Sequence, residues 1–277
     1  NEKSRSLPNK YLNKNSIFVF LILWSYFILD TQKAVYYFSG VLNLTYRIPM
    51  TDISSFPLKE RKRARMRLAL ADAMICRTDK CSFDEISVES LCQDAEISRA
   101  TFFRLFPHKT DLVFFAINLW VIELGWKLDQ LGEVKSGFRK IETFFQLSAD
   151  SFEKHQNFLV AAITQRALDP VLYNRQDNDY TRVNAVERII RFPDAAGIES
   201  VTEGGFTYLL RDYVNLSIGS KELPNSTDPE AAVLALACLF YGVPIMVSDR
   251  SSSHLSALYS EQLKLIWKGI GGKIGLV

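Results

Sequence analysis

The 277-residue sequence lacks the short signatures that most enzyme classes carry. It has no G-x-G-x-x-G or G-x-x-x-x-G-K to cradle phosphate, no G-x-S-x-G around a nucleophile and no H-E-x-x-H for a catalytic zinc. Gly204-Gly205 and Gly271-Gly272 are isolated pairs and read as turns or helix ends. The three histidines, His108, His155 and His254, are scattered, and the cysteines at 76, 81, 92 and 238 form no C-x-x-C pair. No metal, no cofactor and no catalytic residue is therefore expected, and the free thiols suit a reducing cytoplasm. Strand-like alternation competes with helical periodicity nowhere over a comparable length, and no internal repeat is visible. Bulk charge is also missing: a formal net charge of +2 says nothing about partners, so the distribution has to. With 48% hydrophobic and 23% charged residues, the chain is globular and can bury a substantial core in one large domain or two.

The charge that exists is concentrated. KERKRARMR, Lys59 to Arg67, holds six basic residues and one acidic. It opens a helix whose apolar stripe is Ala64, Leu68, Ala71 and Ile75. Such a run is usually a solvated face. Placed just ahead of the next motif, it reads as an arm that neutralises phosphates.

That motif is SVESLCQDAEISRATFFRLFPHK, Ser87 to Lys109. Ser87 caps a short helix in which Val88, Leu91, Cys92 and Ala95 share one face. Ser98 caps a second helix after only a tight turn. Ala100, Phe102, Phe103 and Phe106 are expected to pack, while Ser98, Arg99, Thr101 and Arg104 put polar and guanidinium groups near its N-terminal half. In a helix-turn-helix, that half meets base edges in the major groove. Pro107 ends the helix.

In these residues the chain resembles the TetR family of transcriptional regulators. The matching positions are Ser87-Val88, Leu91-Cys92, Ala95, Ile97-Ser98, Thr101, Phe103, Phe106, Lys109 and Leu112. Glu96 stands where the family usually has a turn glycine, which demands a left-handed backbone from a residue with a Cβ, at about 1 kcal/mol. Phe103 stands where a tyrosine hydroxyl is usual, and Ser82 where glycine is. Phe83 matches an aromatic that plugs the three-helix core. The resemblance implies an all-α protein: a helix-turn-helix domain over 50–108, then a helical effector-binding and dimerisation domain over 109–277. It implies a repressor acting as a homodimer on a palindromic double-stranded DNA operator in the bacterial cytoplasm, at the nucleoid. Candidate DNA contacts are Lys59, Arg61, Lys62, Arg63, Ser87, Ser98, Arg99, Thr101, Phe103, Arg104, His108 and Lys109, the last of these on phosphate.

Lys109 to about Leu131 reads as one long linking helix with Leu112, Phe115, Leu119, Ile122 and Trp126 along a stripe. Further helices are expected near 136–153, 155–168, 174–192, 199–217, 228–247 and 254–270. Asp228-Pro229 supplies an N-cap and first helical position, and Pro244 predicts a kink. The last two helices are apolar enough to require burial, which the resemblance assigns to pairing with a second chain through about 228–270. Aromatics including Trp120, Phe144, Phe145, Tyr173 and Tyr208 are candidates to line a cavity for a small apolar or aromatic effector, though each taken singly reads first as core.

Residues 1–49 differ from the rest. The run from Ile17 to Leu29 would span about 20 Å as a helix, short of a bilayer core of about 30 Å. Three readings stay open: translation starts at Met50 and the preceding residues are not native, 17–46 anchor the chain to a membrane, or they form an accessory helix. A second functional reading is an all-helical small-molecule binder, attached to the membrane if that anchor is real, whose helix-turn-helix no longer serves DNA.

Overall fold

A computed structural model describes residues 52–132, 136–168, 179–202, 205–247 and 254–273, which leaves the expectations placed on 1–49 and on Tyr173 outside the described residues. Within them the secondary structure is helical and contains no strand, in agreement with the all-α reading.

The first helix, α1 (Leu58–Thr78), buries Ala64, Leu68 and Ala71 as the stripe predicts, and also Arg67, Leu70 and Met74. The buried face is wide because α1 is covered on more than one side. It packs on α2 (Val88–Asp94), α4 (Lys109–Asp129), α5 (Gly137–Leu168) and α6 (Ala185–Arg191). Between α2 and α4 lies α3 (Arg99–Leu105). Phe83, buried at the turn before α2, closes the small core beneath these helices.

The long linking helix is α4, ended by Asp129, where the sequence reading ran to Leu131. Leu112, Phe115, Leu119 and Ile122 are buried in it, while Trp126 is half-buried and donates its indole N–H to the Ala196 carbonyl at 3.0 Å. The two helices expected at 136–153 and 155–168 follow one another within α5 and part at His155, whose φ of −136° and ψ of 40° are not helical. Gly137 opens α5 at a crossing where an added Cβ would lie 2.2 Å from the Tyr213 carbonyl, so only glycine fits. Glu222 caps that helix from a distant loop, accepting from the Gly137 N–H at 2.8 Å. A carboxylate there also meets the positive end of the helix dipole.

The helix expected over 174–192 is much shorter among the described residues. Asn184 starts α6 by accepting from the Glu187 N–H at 3.0 Å, and Glu187 returns the bond to Asn184 at 2.9 Å. This reciprocal cap stops the helix from extending backwards. Residues before it run as a non-helical strap, and their carbonyls are bonded elsewhere, as described below. The helix expected from 199 likewise begins late: α7 is Gly205–Gly219, and Gly205 itself has a φ of +68°.

The last pair is α8 (Pro229–Met246) and α9 (Leu255–Gly269), close to the expected bounds, with Asp228 capping α8 and Pro229 in its first turn. Pro244 lies inside α8, which continues past it to Met246. Proline leaves the carbonyl four residues earlier without its helical donor. That carbonyl, on Phe240, accepts instead from the buried Tyr259 hydroxyl on α9 at 2.8 Å. Phe144, Phe145, Phe206, Phe240 and Tyr259 form a continuous aromatic centre, with ring centroids from 4.7 to 6.4 Å apart.

Candidate nucleic-acid interface and effector cavity

The tight turn is built as the sequence requires. The Ile97 N–H bonds the Cys92 carbonyl at 2.9 Å and the Glu96 N–H bonds the Gln93 carbonyl at 3.3 Å, a Schellman ending of α2. The left-handed position of that motif is Glu96, with a φ of +53°. A glycine would sit there without steric cost. Arg77 grips Asp94 with two bonds, one of 2.9 Å, and so ties the end of α1 to the end of α2. Hydrogen bonding from Arg77 holds the Asp94 carboxyl below its ordinary value. Ser87 and Ser98 both act as the expected caps, accepting from Ser90 N–H at 3.1 Å and Thr101 N–H at 3.2 Å.

The orientation of α3 separates two sets of side chains. Phe102, Leu105 and Phe106 are turned inward and buried, whereas Ser98, Arg99, Ala100, Phe103 and Arg104 face out and Thr101 is half-covered. Ala100 and Phe103, read from the sequence as packing residues, are therefore surface. With the helix starting at Arg99, positions 102, 105 and 106 form the i, i+3, i+4 face, and 99, 100, 103 and 104 lie opposite. Phe103 is 43% exposed, and the Arg99 guanidinium lies 5.8 Å from the centre of its ring while pairing with Glu89. Glu89 was not anticipated; it stands one residue into α2, at a spacing no single-helix pattern reveals.

The basic run divides. Lys59, Lys62 and Arg63 are exposed and Arg61 half-buried, but Arg67 is 2% exposed and belongs to the interior. This corrects the reading of Lys59–Arg67 as one solvent-facing arm. Its guanidinium lies 4.0 Å from the centre of the Phe115 ring, bonds Glu187 at 2.7 Å and donates to the Tyr180 and Arg182 carbonyls. Burial pushes the Glu187 carboxyl above its ordinary value, and the Arg67 charge pulls it partly back. Lys109, expected on phosphate, turns its ammonium inward to the Phe83 and Ile86 carbonyls at 2.7 and 2.8 Å, over the Phe83 ring at 4.1 Å. Partial burial holds its pKa below the ordinary lysine value. His108 beside it is exposed, and its backbone N–H is capped by Asp111 at 2.9 Å.

An apolar cavity with about 50 Å³ of open space lies among α4, α5, α7 and α8. Of the aromatics singled out in the sequence, Trp120 lines it, stacked on Phe240 at 6.1 Å. Phe144 and Phe145 are buried in the aromatic centre behind the cavity, and Tyr208 lies outside its walls. Phe206, Phe240 and Tyr241 line it beside Trp120; a buried aromatic that packs and one that walls a cavity look alike in sequence. Asn118 and Arg166 are its polar members.

A head with a helix-turn-helix, followed by a long helix entering a larger helical body, is the fold of TetR-type transcriptional regulators. Among solved structures the chain is similar to Thermus thermophilus FadR, a TetR family transcriptional repressor in complex with lauroyl-CoA. The TM-score is 0.50 at 15% identity, covering 76% of this chain and 98% of that one. A TetR transcriptional regulator from Rhodococcus sp. RHA1 is also similar, at 18% identity and a TM-score of 0.41, covering 73% of this chain and 97% of the other. No family model and no curated protein matches the chain.

Proposed function

We propose that the chain is a ligand-responsive DNA-binding regulator, a repressor that binds a palindromic operator as a homodimer. The observation that carries this is the two-sided character of α3: a fully buried rear and a front of serine, threonine and two arginines open to solvent. Arg99, Thr101 and Arg104 read bases or flanking phosphates. Ser87 and Ser98 fix the register, and Lys59, Arg61, Lys62 and Arg63 supply sequence-independent phosphate contacts. Residues 50–108 are the reading head and 109–277 the sensing and pairing body. The work is done in the cytoplasm, on the nucleoid.

Pairing is supported by what α8 and α9 leave uncovered. Leu234, Ile245, Met246 and Leu265 are 50–83% exposed, large apolar side chains that a second copy would cover. A second copy there sets two heads at a fixed separation, and half-sites about 34 Å apart multiply the specificity of one short helix. The cavity supports an effector with an apolar body. The Thermus regulator was solved with lauroyl-CoA, whose acyl chain is of that chemistry. Its occupation shifts α4 and with it the spacing of the heads, provided that the ligand prefers the non-binding arrangement.

The test is selection of duplexes from a random library by the full chain, followed by titration at stated salt. A two-fold symmetric sequence should emerge, and Arg99→Ala should lose discrimination against random DNA by about 1–3 kcal/mol. Failure to enrich any duplex supports the small-molecule binder without DNA function and sinks the regulator.

A further inference from the structure

Residues 180–183 lie between the reading head and the cavity, and successive carbonyls of this strap are held from opposite directions. On one side Arg67, from α1 of the head, donates to the Tyr180 and Arg182 carbonyls. On the other the Asn118 amide, from α4, donates to the Thr181 carbonyl at 2.9 Å. Thr181 and Val183 are 1% and 0% exposed while Tyr180 and Arg182 face solvent, so the strap is anchored by alternate residues and its carbonyl bonds are partly shielded from water. Asn118 is also a wall of the cavity, so one side chain touches both the cavity and the strap. At the far end the strap runs directly into Asn184 and Glu187, and Glu187 is the carboxylate that meets Arg67.

We propose that this strap is the coupling element of the regulator. An occupant of the cavity with a hydrogen-bond acceptor oxygen takes the Asn118 amide from Thr181, which loosens the strap's hold on Arg67 and lets α1 and the head move. The proposal rests on the regulator reading and adds to it the route of the signal and the chemistry of the effector, an apolar body bearing an acceptor oxygen. Asn118 and Arg67 are positioning residues in this scheme, since neither needs to touch DNA. Coupling requires a second arrangement of the strap, with the cavity's occupant and the DNA-bound head favouring different ones.

Asn118→Asp keeps the size of the side chain, removes the donor and sets an acceptor against the Thr181 carbonyl, and so imposes the released state without a ligand. Asn118→Leu removes the donor without adding charge. The full chain and both variants are titrated with the duplex that the wild type enriches from a random library, alongside amide exchange. Both variants should bind that duplex at least about fivefold more weakly. They should bind random duplex as before, and exchange should rise over 180–187 and in α1 around Arg67. Thermal melting separates this from simple damage: a lower melting temperature with unchanged affinity for the selected duplex overturns the coupling role. If the wild type enriches a duplex and both variants bind it equally well, the strap proposal alone fails. If the wild type enriches none, the regulator reading fails and takes this one with it.

Discussion

Replacing Arg67 by methionine should be among the most damaging single changes in the described chain, although the residue sits in a run that looks like surface charge. The substitution keeps an unbranched stem over Phe115 but deletes the guanidinium. Glu187, 0% exposed, then keeps its Asn184 cap and loses its opposite charge. Removing one partner of a buried pair costs about 3–5 kcal/mol, most of it the penalty on the abandoned ion. At about 2–4 °C per kcal/mol for a body of this size, melting should fall by about 6–20 °C. The pH dependence carries a sign. Burial already holds the Glu187 carboxyl above its ordinary 4.5, and without Arg67 it rises further. A raised carboxyl contributes stability below its unfolded value, and that contribution is lost as pH climbs through the folded value. The variant should therefore be worst near neutrality and recover as pH falls toward 4.5. Adding Glu187→Gln keeps a cap acceptor for Asn184 and discards the charge, so the double variant should regain at least about 2 kcal/mol over the single one at pH 7. Urea or thermal unfolding of the four proteins measures this. A double variant destabilised by the full sum of the two single effects would falsify the buried-pair account.

Three further outcomes are expected. Glu96→Gly, by relieving the left-handed strain at a φ of +53°, should raise stability by up to about 1 kcal/mol, readable as a higher urea midpoint; a lower midpoint would show that the Glu96 side chain supplies more than its backbone costs. Lys109→Met loses two bonds to the Phe83 and Ile86 carbonyls, so it should cost about 1.5–3 kcal/mol in stability while changing the salt slope of DNA binding by clearly less than 1. A full unit of slope with unchanged stability would return Lys109 to the phosphate backbone. Leu234→Glu with Leu265→Glu places carboxylates on the uncovered face of α8 and α9 and should convert a dimer into a monomer in sedimentation; a dimer that persists locates the interface elsewhere.

The architecture was legible where a local rule sufficed. Ser87, Ser98 and Asp228 bond as caps in the way their positions announce, and Glu96 takes the left-handed backbone expected of it. The division of α5 at His155 and the bounds of α8 and α9 were legible for the same reason. What could not be read depends on contacts between distant segments. Arg67 looks like its neighbours because charge is a property of the residue, whereas burial is decided by Glu187, 120 positions away. Lys109 fits a phosphate-binding pattern, yet carbonyls 23 and 26 residues earlier claim its ammonium. The short α6 is invisible to periodicity because the preceding strap is held by partners on α1 and α4. Phe206 and Phe240 could not be told from Phe144 because only packing decides which ring faces empty space.

The bond from Tyr259 to the carbonyl freed by Pro244 has a mechanical consequence. Sliding α9 along α8 by even one residue would strand that oxygen in a dry interior, so the two helices travel as a single rigid plate. In the proposed dimer, any change in the distance between the heads would then be taken up where the plate meets its neighbours.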